Sequence, residues 1–128
     1  MELTLTCTRS HEYVRYAVEG QASLKNFAAL LLVVAEDLGQ YEDSYVLLDL
    51  RAVQGRLTSA EQALLGEMGA TRLPFLAKMA SLVPPQEITR NSERKAREKG
   101  LRVRVFVSET EAIAWLTKPR SRPADTTI

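Results

Sequence analysis

The chain has 128 residues, 45% of them hydrophobic and 26% charged, with a net charge of +1. This is ordinary composition for one globular domain and excludes fibrous, low-complexity and disulfide-scaffold classes. Cys7 is the only cysteine, which rules out an intrachain disulfide or a cysteine-based zinc cluster, and the longest apolar run, Ala28 to Ala35, is too short to cross a bilayer.

Charge is unevenly spread. Residues 1–69 hold 5 basic and 10 acidic side chains, and residues 70–128 hold 12 and 6. Such asymmetry favours self-association of opposite faces over a nucleic-acid surface. Met1-Glu2-Leu3 opens a strand-like alternation with no basic leader pattern, so the expected location is cytoplasmic.

Alternation with a period of two over Glu2–Thr8 and again over Glu12–Glu19, around a polar Arg9-Ser10-His11 break, predicts an antiparallel hairpin with Cys7 as a small strand hydrophobe. Ser23 is a candidate N-cap, and Leu24, Phe27, Ala28, Leu31, Val34 and Leu38 then recur at helical spacing up to Gly39. Leu30, Leu32 and Val33 widen the apolar surface of this first helix beyond one stripe. Tyr45–Leu50 is a short continuous apolar run, as expected of a strand buried on both faces of a parallel sheet.

Thr58-Ser59-Ala60-Glu61 fits a capping box. It opens a second helix with Leu57, Ala60, Leu64 and Met68 on one face, limited by Pro74. Ala77–Val83 predicts a fourth strand, stopped by Pro84-Pro85. A polar third helix is expected over 86–99, a last strand over Arg102–Val107, and a short fourth helix capped by Ser108 and ended by Pro119. The order is ββαβαβαβα: an α/β fold with a mixed, mostly parallel five-stranded sheet and four helices, one domain over 1–117 and a flexible tail over 118–128. Ligands of such folds sit near the carboxyl ends of the strands, here the loops after Val18, Leu50, Val83 and Val107.

This order, the Val46-Leu47-Leu48-Asp49-Leu50-Arg51 strand with Gly55 after it, and the closing Glu111-Ala112-Ile113-Ala114-Trp115-Leu116 helix resemble the SpoIIAA-like STAS domains. These are anti-sigma factor antagonists that grade toward SEC14-type lipid-binding domains, and the resemblance spans about residues 2 to 117. It implies a small non-catalytic module that binds a protein partner or itself, as a homodimer, through the first two helices and the loop after the central strand. The alternative it implies is a carrier or sensor of a lipid or small apolar ligand. In signalling members a serine at the start of the helix after the central strand is phosphorylated by a partner kinase. The matching residues are Arg56-Leu57-Thr58-Ser59, without the family's Asp-Ser-Ser type motif, so Thr58 and Ser59 are candidate phosphoacceptors that also read simply as a helix cap.

The residues themselves offer little catalytic chemistry. Gly66 and Gly69 lie inside a helix pattern rather than a phosphate loop, and His11 is a lone turn histidine. Glu42 and Asp43 are adjacent and would point apart, so no metal or other cofactor is expected. Asp49 is the pointed residue: an ionisable group on a buried strand must meet donors, such as Arg51, a loop amide or a neighbouring side chain. Asp49, Arg51, Gly55, Thr58 and Ser59 are the candidate partner rim. Leu24, Phe27, Leu31, Leu64 and Met68 are the candidate apolar ligand or dimer face. Arg90, Arg94, Lys95, Arg97 and Lys99, with Arg102, Arg104, Lys118, Arg120 and Arg122, could form a basic surface for phosphates or lipid headgroups, but no aromatics are interleaved for base stacking, which argues against nucleic acid.

Overall fold

A computed structural model describes residues 3–41, 45–73, 76–85, 94, 97–100 and 102–117. The strands are β1 (Thr4–Arg9), β2 (Val14–Gln21), β3 (Tyr45–Gln54), β4 (Lys78–Leu82) and β5 (Val103–Phe106); the helices are α1 (Leu24–Tyr41), α2 (Ser59–Arg72) and α3 (Glu109–Thr117). The five strands form one sheet in the order β1-β2-β3-β4-β5, with β1 antiparallel to β2 and the remaining neighbours parallel. The expected mixed, mostly parallel α/β sheet is therefore present. Three helices are described instead of four, because the expected helix over 86–99 lies, apart from Arg94 and residues 97–99, outside the described residues. Lys95, Arg90, Lys118, Arg120 and Arg122 of the expected basic surface lie there too, while Arg94, Arg97, Lys99, Arg102 and Arg104 are exposed.

Two clusters divide the core by strand alternation. Val14, Tyr16, Val18, Val46, Leu48, Met79 and Val103 face α1 and α2, joined by Phe27, Leu30, Leu31, Val34 and Leu38. Leu47, Ala80, Leu82 and Phe106 face the other way, against Ala112 and Leu116 of α3. Val46, Leu47 and Leu48 are thus buried successively on both faces, which is why the run reads as unbroken hydrophobicity. Each such side chain contributes about 1.5–3 kcal/mol by leaving water.

Several expectations are corrected. The central strand does not end at Leu50 but runs to Gln54, because its second half goes on pairing with β2 after β4 has ended at the Asp49–Leu82 pair. Helix α1 passes through Gly39 to Tyr41. The buried residues of α2 include Gly66 and Gly69, with Leu65 and Met68 partly buried, whereas Ala60 and Leu64 are exposed. The helix turns its smallest residues inward, since α1 and α2 pack against one another and share one core cluster with the sheet. Cys7 is exposed rather than buried, because β1 is an outer strand.

Candidate functional site

The β2–β3 pairing contains an irregularity. Ala17 opposes Asp49 and Glu19 opposes Ala52, so β3 places three steps of chain against two of β2. This is a β-bulge, which reverses the alternation on the bulged strand. Leu48 and Leu50 face the α1–α2 core before it, and Val53 faces the same core after it. The bulge leaves the Arg51 amide in need of a local acceptor, and Asp49 Oδ1 takes it at 3.1 Å.

The same carboxylate holds two guanidinium groups. Arg51 grips it with Nε to Oδ1 at 2.9 Å and an Nη2 to Oδ2 at 2.8 Å, and Arg15 on β2 donates from Nη2 to Oδ2 at 2.6 Å. Both arginines also reach Glu109 in the first turn of α3: Arg15 Nε to Oε2 at 3.0 Å, Arg15 Nη2 to Oε1 at 3.2 Å, and Arg51 Nη2 to Oε1 at 2.8 Å. Two cations and two anions close a neutral ring joining β2, β3 and α3. Glu109 also sits where the positive end of the helix favours a carboxylate, and Ser108 caps the same turn, its Oγ accepting from the Glu111 amide at 3.3 Å.

The ring sets the charge states of its members. Hydrogen bonds from Arg51 pull the Asp49 carboxyl below the ordinary aspartate range against the opposing effect of burial, and Arg15 does the same for Glu109. The arginines are pushed further up, Arg51 chiefly by Asp49 and Arg15 chiefly by Glu109. Asp49 is only 9% exposed and remains ionised at neutral pH, so it has no proton to give as a general acid. What the arrangement does is hold the N-terminus of α3 against the sheet and complete the hydrogen bonding of the bulge. Among the described residues, no group of three or more histidine, cysteine or acidic side chains is arranged to hold a metal ion.

The proposed rim divides into two. Asp49 and Arg51 belong to the ring on the α3 face. Gly55 and Thr58 lie in the loop into α2 and Ser59 is the first residue of that helix, which packs on the opposite face. The capping box is present in full, with Glu61 N donating to Thr58 Oγ1 at 3.1 Å and Thr58 N donating to Glu61 Oε1 at 2.9 Å. Gly55 adopts φ +86°, and a β-carbon there would lie 2.4 Å from Gln21 Nε2, so the turn takes a residue without one. Arg15 and Glu109 were not among the predicted site residues. Their signal was weak: an arginine within a half-buried alternation, and an acid just after a helix cap.

The five residues of the apolar set are also separated. Phe27 and Leu31 are in the core, Leu24 and Met68 are partly buried, and Leu64 is 45% exposed. Leu32 and Val33 on α1 are 49% and 55% exposed, whereas Leu30, expected to widen the same surface, is buried. On the same side of the sheet, Tyr16 and Asp37 tie β2 to α1. The Tyr16 hydroxyl donates to Asp37 Oδ2, which also accepts from Arg9 at 2.6 Å. Burial and this bond push the Tyr16 hydroxyl far above its ordinary range.

On the α3 face, Lys78 at the start of β4 is buried and donates to the Trp115 carbonyl at 2.8 Å, with its ammonium 5.0 Å from the centre of the Trp115 ring. A cation at the carboxyl end of α3 suits the helix dipole. No described helix is long and apolar enough to cross a membrane.

No family model matches the chain, and no curated protein matches it. Solved structures do. An anti-sigma factor antagonist from Mycobacterium paratuberculosis superposes with a TM-score of 0.64 at 13% identity, covering 90% of this chain and 94% of that one. An uncharacterized protein of the DUF3478 family from Shewanella loihica, described as having a SpoIIAA-like fold, gives a TM-score of 0.55 at 15% identity with the same coverage. Both likenesses extend over nearly the whole of either chain, and with the mixed five-stranded sheet they identify the architecture: the chain has a SpoIIAA-like fold.

Proposed function

We propose that the chain is a non-catalytic protein-interaction module that docks a protein partner through the outer surfaces of α1 and α2 and the Gly55–Thr58 loop. The observation that carries this reading is the exposure of Leu32 and Val33 on α1 and of Leu64 on α2, two helices that pack against each other. Large apolar side chains left in water on adjacent helices are the usual anchors of a protein interface. Phe27 and Leu31 serve the core, so Leu32 and Leu64 are the groups a partner meets. One of the structures with the same fold is an anti-sigma factor antagonist, which supports a regulatory protein partner for this chain.

The ring of Arg15, Asp49, Arg51 and Glu109 is given a structural role in this reading. It supports the sheet from the far side. The test is a pull-down from an extract of the source cells with the wild-type chain and with Leu32→Glu/Leu64→Glu. A partner retained by the wild type and depleted about tenfold or more by the double variant supports the reading. Equal retention by both removes it.

A further inference from the structure

Strand β1 is an outer strand of the sheet and, among the described residues, pairs only with β2. Natural sheet edges are usually blunted by proline, lysine, a bulge or a very short strand, because a row of outward amides and carbonyls is a template for another strand. β1 has none of these. Its register with β2 is unbroken from Thr4 opposite Glu19 to Arg9 opposite Val14. Its single charge, Arg9, stands at one end and is turned back to Asp37 at 2.6 Å.

The direction of the backbone groups follows from the hairpin. The Ser10 amide donates to the Tyr13 carbonyl at 3.0 Å, which makes Ser10 and Tyr13 a hydrogen-bonded pair. Antiparallel alternation then commits Thr8, Thr6 and Thr4 to β2 and turns the amides and carbonyls of Arg9, Cys7 and Leu5 outward. The side chains divide in step: Leu5 packs on the α1 side, and the exposed threonines lie on the other face. Apolar surface also overhangs this edge. Val33 is 55% exposed and stands one helical turn before Asp37, the residue that reaches Arg9, so it lies on the flank of α1 nearest β1.

We propose that a second copy of this chain pairs with β1, antiparallel and about a two-fold axis through Thr6, joining the two sheets into one. Three constraints select that register. A strand added with its core face matching must place Leu5 and Cys7 on the side of the partner's equivalents, since a slip by one residue would send them to the wrong face. Among face-matched registers, those with Thr6 opposite Thr6 and with Cys7 opposite Cys7 overlap equal lengths of β1, Thr4–Thr8 and Leu5–Arg9; the second would set the charge of Arg9 against Leu5, whereas the first leaves Arg9 opposite Leu3, outside the strand. In the first, Thr4 opposes Thr8 and Leu5 opposes Cys7, so β-branched pairs line one face and apolar pairs the other, with no like charges opposed.

The same operation brings the second copy's α1 to the edge that Val33 overhangs. A two-fold pairing also closes on itself. Addition of β1 to the far edge, β5, would instead make an open head-to-tail array on a strand of four residues with Arg104 exposed. The pairing rests on the edge of β1 and shares only Val33 with the helix surfaces assigned to another protein.

The test combines association state with cross-linking of the full chain. Sedimentation equilibrium of the wild type is expected to show a dimer, and Thr6→Lys, which opposes two ammonium groups across the axis, is expected to raise the dissociation constant about tenfold or more with an unchanged circular dichroism spectrum. In a Cys7→Ser background, Thr6→Cys should form an intermolecular disulfide under mild oxidation, because the opposed residues form a non-hydrogen-bonded pair with close α-carbons. Thr4→Cys in the same background should not, since Thr4 faces Thr8. A monomeric wild type, a Thr6→Lys variant that dimerises like the wild type, or cross-linking through Thr4 and not Thr6 would each overturn the proposal. Thr6→Lys should still retain the partner captured through α1 and α2, which separates failure of this pairing from failure of that reading.

Discussion

Arg51 holds both carboxylate oxygens of Asp49 with its guanidinium, at 2.9 and 2.8 Å, while its own backbone amide donates to Oδ1 at 3.1 Å. Two residues apart on one strand, they form a closed unit because the bulge between β2 and β3 brings the amide and side chain of Arg51 round to the same carboxylate. Arg15 and Glu109, from distant parts of the chain, then complete the ring.

Removing one member should therefore cost more than a surface ion pair does. Asp49→Ala leaves the Arg51 amide without its acceptor and both guanidinium groups with Glu109 alone, and we expect a loss of about 2–4 kcal/mol in urea denaturation. Arg51→Ala, at a side chain 43% exposed, should cost about 1 kcal/mol. The double variant should cost less than the sum of the two, since they share an interaction.

Acid should reveal the same carboxylates. Asp49 and Glu109 are held below their ordinary values of 3.8 and 4.5 by the arginines. At Asp37 burial pushes upward, but the Tyr16 and Arg9 hydrogen bonds outweigh it, and this carboxyl is also held low. In the folded chain these groups bind protons less readily than when unfolded. Their contribution is complete above the unfolded values and is lost as pH falls through the folded ones. Stability to urea should be level between about pH 5 and 8 and fall below about pH 4.5, with a weaker fall in Asp49→Asn.

At the alkaline end the sign is opposite. Tyr16 is raised above its ordinary value of 10.0 by burial and by Asp37, so the folded chain keeps a proton that the unfolded chain releases. Stability should decline as pH rises above 10, and Tyr16→Phe, although it loses the bond to Asp37, should flatten that decline in denaturation followed by circular dichroism.

The cap of α2 offers a local measurement. Thr58→Ala removes the acceptor of the Glu61 amide and should cost about 1 kcal/mol in thermal unfolding, whereas Thr58→Ser should be nearly neutral.

Gly55 tests the turn between β3 and α2. At φ +86°, Gly55→Ala incurs a strain of about 1–2 kcal/mol and displaces the Gln21 amide, so a lower unfolding midpoint is expected. Adding Gln21→Ala should recover only the contact portion, since the backbone strain remains.

The amino-acid order by itself determined the elements whose signals are local. Alternation in the hairpin, the helical period from Leu24 to Leu38, the apolar run at Val46 and the capping box at Thr58 depend on neighbours within a few residues, and each forms where those neighbours predict. The need of Asp49 for donors was likewise legible, including Arg51, because burial of a charge carries its own requirement. Tertiary structure alone decided the rest. Arg15 and Glu109 lie 34 and 60 positions from Asp49 and join its ring, Glu109 through the two arginines, only because strand order and the placement of α3 bring them there. The length of β3 and the buried face of α2 were settled the same way, by pairing with β2 and packing against α1. Hydrophobic period reports that a side chain seeks cover, and only the assembled sheet decides which neighbour provides it.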